Sequence, residues 1–266
     1  MWSKHCYWRG VPSTVLAILL ISGCSIERFK DPIIVPGIDE DLYIDLWEDL
    51  YPTHTELTFQ VETIAPEECL NVTIATELSK ANQRLDLDIL AIVPPDNCEP
   101  GEAPARGEAP AGLLTSGTYA MEVHLQNEIT SRATLEVTPE YYRVEAQEEN
   151  GFLWRHKELR RVPTNTLWGY VAATNTALEG TAQNWRSQLQ ALGLASTLEA
   201  GYYGYFRIDE SGEAVMNPAA ATPVALPFLI RFDGNESSVT TLVNSLRQQG
   251  PQGMSVKVWS GRGRAW

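Results

Sequence analysis

Leu167-Trp168-Gly169-Tyr170-Val171-Ala172-Ala173 opens the stretch that sets the fold reading of this chain. The seven residues read as an apolar strand. Leu178, Ala182, Trp185, Leu189 and Leu192 then recur at alternating steps of four and three, which marks one face of a helix, and Gly193 closes it. An aromatic strand follows (Tyr202–Ile208), then a long connection with the turn Asp209-Glu210-Ser211-Gly212, then a further strand (Pro227–Phe232). Val239, Leu242, Val243 and Leu246 mark a second helix ending at Gly250-Pro251, and Met254–Trp259 supplies a last strand. The order β-α-β-β-α-β is that of a ferredoxin-like unit, in which two helices pack on one face of an antiparallel sheet. Residues 164–266 are assigned to it.

Working outward, the pattern changes from period 3.6 to period two. Leu57-Phe59-Val61, Leu70-Val72-Ile74, Leu85-Leu87-Ile89-Ala91-Val93, Tyr119-Met121-Val123-Leu125 and Ala133-Leu135-Val137 each alternate, as strands with one buried face must, and Tyr142-Val144 adds a sixth run. The span 53–146 has the size and spacing of an Ig-like β-sandwich. Ser116-Gly117-Thr118-Tyr119 resembles the entry to a late strand in bacterial Ig-like domains, and no tryptophan lies between Cys69 and Cys98, which sets the segment apart from antibody domains. The fold class expected is therefore multidomain, β followed by α+β. Between Pro94 and Gly112 the near-repeat GEAPAR, GEAPAG is expected to form an exposed loop. Residues 147–163 form a charged connector whose Arg155-His156-Lys157-Glu158-Leu159-Arg160-Arg161 reverses the sign of an acidic protein; it reads as a solvated face or a docking patch for acid.

At the N-terminus Lys4 and Arg9 precede an apolar run from Val11 to Ile21, which is shorter than the ~18 residues of a membrane span. Leu20-Ile21-Ser22-Gly23-Cys24 ends that run and resembles the lipobox of bacterial lipoproteins. The resemblance implies cleavage after residue 23, diacylglycerol on the Cys24 sulfur, and acyl chains (palmitate among them) as the membrane attachment. Ser25, a non-aspartate, implies transport to the outer membrane in a Gram-negative host, facing the periplasm. An ordinary cleaved signal with a chance cysteine is the competing reading.

Removal of the leader, with Lys4 and Arg9 and no acid, moves the formal charge from -14 to -16. Such a chain repels phosphate backbones, which argues against nucleic acid as a partner. If Cys6 leaves with the leader and Cys24 carries the lipid, Cys69 and Cys98 remain; an exported address favours a disulfide between them, with zinc as the alternative. Residues 24–52 read as a lipid tether in which six carboxylates from Asp39 to Asp49 alternate with Leu42, Tyr43, Leu46, Trp47 and Leu50. Their spacing predicts a short amphipathic helix; the oxygens do not follow the order of a calcium loop, so no metal is assigned.

The C-terminal order, in an envelope lipoprotein, resembles the SPOR domain over Thr166–Trp259. That family is ferredoxin-like and binds peptidoglycan glycan strands. The resemblance implies binding on the sheet face opposite the helices, with Trp168, Tyr170, Tyr203, Tyr205, Arg231 and Trp259 as candidates. Aromatic core packing is the other role open to these residues, since alternation does not fix which set faces out. His54, His124 and His156 stand beside no catalytic motif, and neither a nucleophile elbow, a zinc-protease helix, a P-loop nor a dinucleotide fingerprint occurs. The expectation is a non-catalytic, lipid-anchored binding or scaffolding protein of the cell envelope without cofactor. Peptidoglycan binding is the alternative and an unrecognised hydrolase the third reading.

Overall fold

The computed structural model describes residues 41–126 and 128–266, all within one compact unit, Asp39–Trp266. The leader, Cys24 and most of the tether lie outside the described residues. The first twelve strands are β1 (Leu42–Leu50), β2 (Thr55–Thr63), β3 (Glu67–Cys69), β4 (Thr73–Ala81), β5 (Arg84–Val93), β6 (Pro100–Ala103), β7 (Arg106–Gly112), β8 (Gly117–Leu125), β9 (Ile129–Val137), β10 (Tyr141–Ala146), β11 (Phe152–Trp154) and β12 (Glu158–Arg160). Ten of them form a single sheet in the order β11-β1-β2-β7-β4-β5-β8-β9-β10-β12, and β3 pairs with β6 separately. The inward residues of this sheet, among them Ile44, Leu46, Phe59, Leu87, Met121, Leu135 and Phe152, share one core.

The sheet curls until its edges meet. Phe152–Trp154 pairs with β1 at one edge, and Glu158–Arg160 pairs with β10 at the other. The Arg155 N–H donates to the Ile44 carbonyl (2.9 Å) and the Val144 N–H to the Lys157 carbonyl (2.7 Å). One short segment thus serves both edges, with His156 between them, and the exposed edges that invite aggregation are removed.

Three sequence expectations change here. The acidic segment is a strand and not an amphipathic helix: Leu42, Ile44 and Leu46 enter the core at period two, and β1 pairs with β2 over all nine residues. Helical spacing of Leu42, Leu46 and Leu50 coincided with that alternation. The supposed connector contains β11 and β12, so the large sheet extends beyond 53–146 on both sides. The segment from Pro94 is an exposed loop only as far as Glu99, and the near-repeat itself forms β6 and β7. β7 lies inside the sheet, antiparallel to β2 and touching β4 in parallel at Thr73↔Arg106. Ala105, Ala109 and Ala111 are buried, and a Cβ on Gly107 would lie 2.4 Å from the Ile74 carbonyl oxygen, so only small residues allow that approach. Where β7 and β4 part, the Thr76 hydroxyl donates to the Glu108 carbonyl (2.7 Å) and the Lys80 ammonium to the Ala111 carbonyl (2.9 Å). Side chains there satisfy a strand that the ladder leaves partly unpaired.

The remaining elements are β13 (Thr166–Ala173), α1 (Glu179–Gln190), β14 (Leu194–Ala195), β15 (Gly201–Tyr202), β16 (Phe206–Ile208), β17 (Ala214–Met216), β18 (Val224–Arg231), α2 (Glu236–Gln249) and β19 (Met254–Ser260). Four strands form an antiparallel sheet in the order β14-β18-β13-β19. Ala182, Trp185 and Leu189 of α1 and Val239, Val243 and Leu246 of α2 pack on one face with Leu167, Val171, Phe228 and Val256. Asn235 starts α2 by accepting the Ser237 N–H (2.9 Å). Gly193 admits the chain to β14, since a Cβ there would sit 2.2 Å from the Arg231 carbonyl oxygen.

The aromatic run Tyr202–Ile208 is not one strand of this sheet. It breaks at Gly204 and belongs to a three-stranded sheet, β15-β16-β17, which covers the other face of β13. Gly204 has φ +76, and its Cα side lies against the Trp47 ring. The edge strand that follows α1 is Leu194–Ala195 instead.

Candidate functional site

β1 places alternate side chains on opposite faces, so Ile44 and Leu46 fill the core while Tyr43, Asp45 and Trp47 point outward toward the three-stranded sheet. Trp47 meets Tyr205 (ring centroids 4.5 Å), Tyr205 meets Trp168 (5.3 Å), and Tyr170 meets Trp259 (5.9 Å). With Met216, Asn217, Pro218 and Lys257 these rings line a groove of about 230 Å³. The Tyr205 hydroxyl donates to the Glu48 carbonyl (2.9 Å), and the Asn217 amide donates to the Gly204 carbonyl (2.8 Å), which fixes the wall formed by the small sheet.

The groove continues past Trp47, Asn217 and Pro218 into a polar cleft of about 450 Å³. Buried Asp45 lies at its base, 3.0 Å from His156 Nδ1 and 3.3 Å from the Tyr202 hydroxyl. The His156 and Tyr202 rings stack at 3.6 Å. Burial, with the Asp45 carboxylate beside it, pushes the Tyr202 hydroxyl well above its usual value, so it remains a donor throughout the ordinary pH range. Arg155 pairs with Glu62 (3.2 Å) and lies over the Tyr43 ring. The lining contains an Asp–His pair but no serine, threonine or cysteine to act as its nucleophile. Chemically it is a set of fixed donors, acceptors and aromatic faces.

Of the residues expected from the sequence, Trp168, Tyr170, Tyr205 and Trp259 come together in the groove. Trp168 is only 1% exposed and forms its floor, so it is a core residue and not part of an open sheet face. Tyr203 and Arg231 do not join them. Tyr203 is buried against Phe206 and donates to the Glu199 carbonyl (3.0 Å), while Arg231 is exposed at the far end of β18 beside Asp233. Sequence reading missed Asp45, Trp47, His156 and Asn217. The alternation of Leu42, Ile44 and Leu46 was the available signal for the first two.

Cys69 and Cys98 are joined in a disulfide, which leaves no thiolate for zinc. Asp86, Glu122 and His124 cluster on β5 and β8, but Arg84 donates to both carboxylates (2.8 and 3.0 Å) and so supplies the countercharge itself. Comparison of the chain with protein-family profiles, curated proteins and solved structures finds no match.

Proposed function

We propose that this protein is a lipid-anchored envelope protein, attached by acyl chains on Cys24 and facing the periplasm, that binds a partner in the groove between its large sheet and its C-terminal half. The observation that carries the binding part is the convergence of Trp47, Tyr170, Tyr205 and Trp259 around one groove that opens into the Asp45–His156–Tyr202 cleft. Aromatic faces beside fixed polar groups are the usual composition of a ligand site. The address rests on the signal pattern ending at Cys24.

Peptidoglycan is the second reading, and two observations favour it. The order β14-β18-β13-β19, antiparallel throughout with both helices on one face, supports the ferredoxin-like assignment and with it the SPOR resemblance. Aromatic rings with an amide and an ammonium, here Asn217 and Lys257, also suit a sugar ring. The Ig-like reading of the first half rests on its alternating strands alone.

The test uses the chain from Ser25 onward, mixed with purified sacculi and pelleted, in parallel with envelope extracts. Trp259→Ala and Tyr170→Ala are expected to abolish pelleting or capture while the protein stays folded. Retained binding by both variants refutes the groove; binding to extracts but not sacculi retires peptidoglycan. Intact mass of the membrane-borne protein checks the anchor, which requires an acylated Cys24 as first residue.

A further inference from the structure

β18 is paired along its length on one side only. Against β13 the ladder runs from Thr166↔Arg231 to Ala173↔Val224, whereas β14 covers just Arg231 and Ile230. The register shows which backbone groups this leaves open. The Thr166 carbonyl accepts from Gly261 N–H, on the β19 side, and the Asn165 carbonyl accepts from Phe232 N–H, on the β18 side. Odd-numbered residues of β13 therefore bond to β18, and the matching residues of β18 are the even-numbered ones, such as Phe228 and Ile230. Ala225, Pro227 and Leu229 turn their backbone groups away from β13. β14 ends at Ala195↔Ile230, whose flanking ladder bonds run to Arg231 and to the Leu229 carbonyl, so among the described residues the Leu229 N–H and the Pro227 carbonyl are outward backbone groups of β18 left without a backbone partner. Proline is tolerated at 227 for the same reason, because its missing N–H faces outward.

This open edge runs along a groove of about 450 Å³. Ala195 and Ser196 bound one end, Arg186 and Gln190 of α1 one side, and Gly212-Glu213-Ala214 the other. The latter wall is held in place by Asp209, whose carboxylate accepts from the N–H groups of Ser211 and Glu213 (both 2.9 Å). Arg186 Nε is buried with no hydrogen-bond partner. Arg186 lies on the helix face of the sheet, to which Phe228 and Ile230 point, whereas Glu213 lies on the other face, toward which Leu229 points. Successive side chains of any strand placed here would face these two walls in turn.

We infer that the groove takes an extended segment of a partner protein, which adds to β18 as an antiparallel strand beyond β14. Its backbone accepts from the Leu229 N–H and donates to the Pro227 carbonyl, an acidic side chain meets Arg186, and the adjacent basic side chain meets Glu213. Backbone bonding supplies affinity and the two opposed charges supply the choice of sequence and register. The site shares no lining residue with the aromatic groove and does not depend on what fills it.

The test is an amide-resolved NMR titration of the chain from Ser25 onward with the blocked peptide Thr-Val-Glu-Lys-Val-Thr, and with the same peptide N-methylated at alternate residues. The expected result is saturable movement of the Leu229 amide, lost on N-methylation. Arg186→Gln weakens binding about tenfold and Arg186→Lys retains most of it, with the thermal midpoint unchanged. Three results overturn the proposal: no saturable shift at millimolar peptide, equal binding by the N-methylated peptide, or indifference to Arg186→Gln. Protection of the Leu229 amide by dimerisation of the protein alone would also overturn it, by assigning the edge to a second copy.

Discussion

The ten-stranded sheet and the four-stranded sheet bury their cores by different means. The smaller sheet has two amphipathic helices to cover one face, and each helix announces itself by its own 3.6-residue spacing. The larger, among the described residues, packs no helix on its core and covers it by curling until β11 and β12 meet its two ends. Layered packing needs only local patterns, but a curled sheet needs strands whose residues match the approach of distant neighbours. That is why alanine and glycine line β7, and why a carboxylate, Glu48, closes one end of β1.

Opening the disulfide, which clips the end of β3 to the chain just before β6 across a separation of 29 residues, should cost the most. Cys69→Ser with Cys98→Ser should lower stability by roughly 3 to 4 kcal/mol in the chain-entropy account. The comparison of regions sharpens in the same melt. Coincident loss of the helical signal of α1 and α2 and of sheet signal means one cooperative unit, while surviving helices mean that the two sheets fold separately.

Removing Glu48 comes next. It is 1% exposed, accepts from Arg161 (2.7 Å), from the Tyr142 hydroxyl and from the Val162 N–H (each 3.2 Å), and ties β1 to β10 and to the chain beyond β12. Glu48→Ala takes away the carboxylate facing Arg161, leaving the Thr138 carbonyl and the Thr55 hydroxyl as its acceptors, and is expected to destabilise by about 3 kcal/mol in denaturant titration, with Glu48→Gln less harmful. A loss below about 1 kcal/mol, the range of surface pairs, would show that this end of the sheet is open to water.

Ala109→Leu follows. In an exposed loop it would change little, but within the sheet at 1% exposure it should cost about 1 to 3 kcal/mol by overpacking. Limited proteolysis of the native protein gives the companion measurement: residues 106–112 should resist cleavage.

The smallest effect in ordinary buffers appears at alkaline pH. Burial raises the Tyr142, Tyr202 and Tyr205 hydroxyls above their usual value of 10.0. Above that value the unfolded chain releases these protons while the folded chain keeps them, so the native state holds more protons and stability falls as pH rises. No loss from this source is expected below about pH 9, where tyrosine in either state is protonated. A denaturant midpoint that stays constant from pH 9 to 11.5 would show that these rings are hydrated. Tyr202 and Tyr205 connect the large sheet to the small one, so this titration probes the junction between the two regions.

The contrast also explains which parts of the site could be read. Trp168, Tyr170, Tyr205 and Trp259 stood out as aromatics in strands flanking recognisable helices, and four of the six candidates met in one groove. Tyr203 carried the same signal and went elsewhere because a turn at Gly204 reverses the chain between Tyr203 and Tyr205, whereas Arg231 stands exposed at the end of β18 beside Asp233. Asp45, Trp47 and His156 were hidden for another reason. Asp45 and Trp47 come from a strand far from the C-terminal half in sequence, His156 from a segment that reads as a charged connector, and only the junction with the small sheet brings them to Tyr202 and Asn217.

From the sequence alone came strands β13, β18 and β19 with helices α1 and α2 between them, the two-residue alternation of the first half, and the pairing of Cys69 with Cys98, since these depend on spacing, local periodicity and cysteine count. Tertiary structure decided that β1, β7, β11 and β12 are sheet strands, that the aromatic run splits, and that Trp47 sits beside Trp259 in one groove. Those outcomes rest on close backbone approach and on contacts between residues far apart in the chain, such as Gly107 against Ile74 and Gly204 against Trp47, and no local pattern encodes the identity of a distant neighbour.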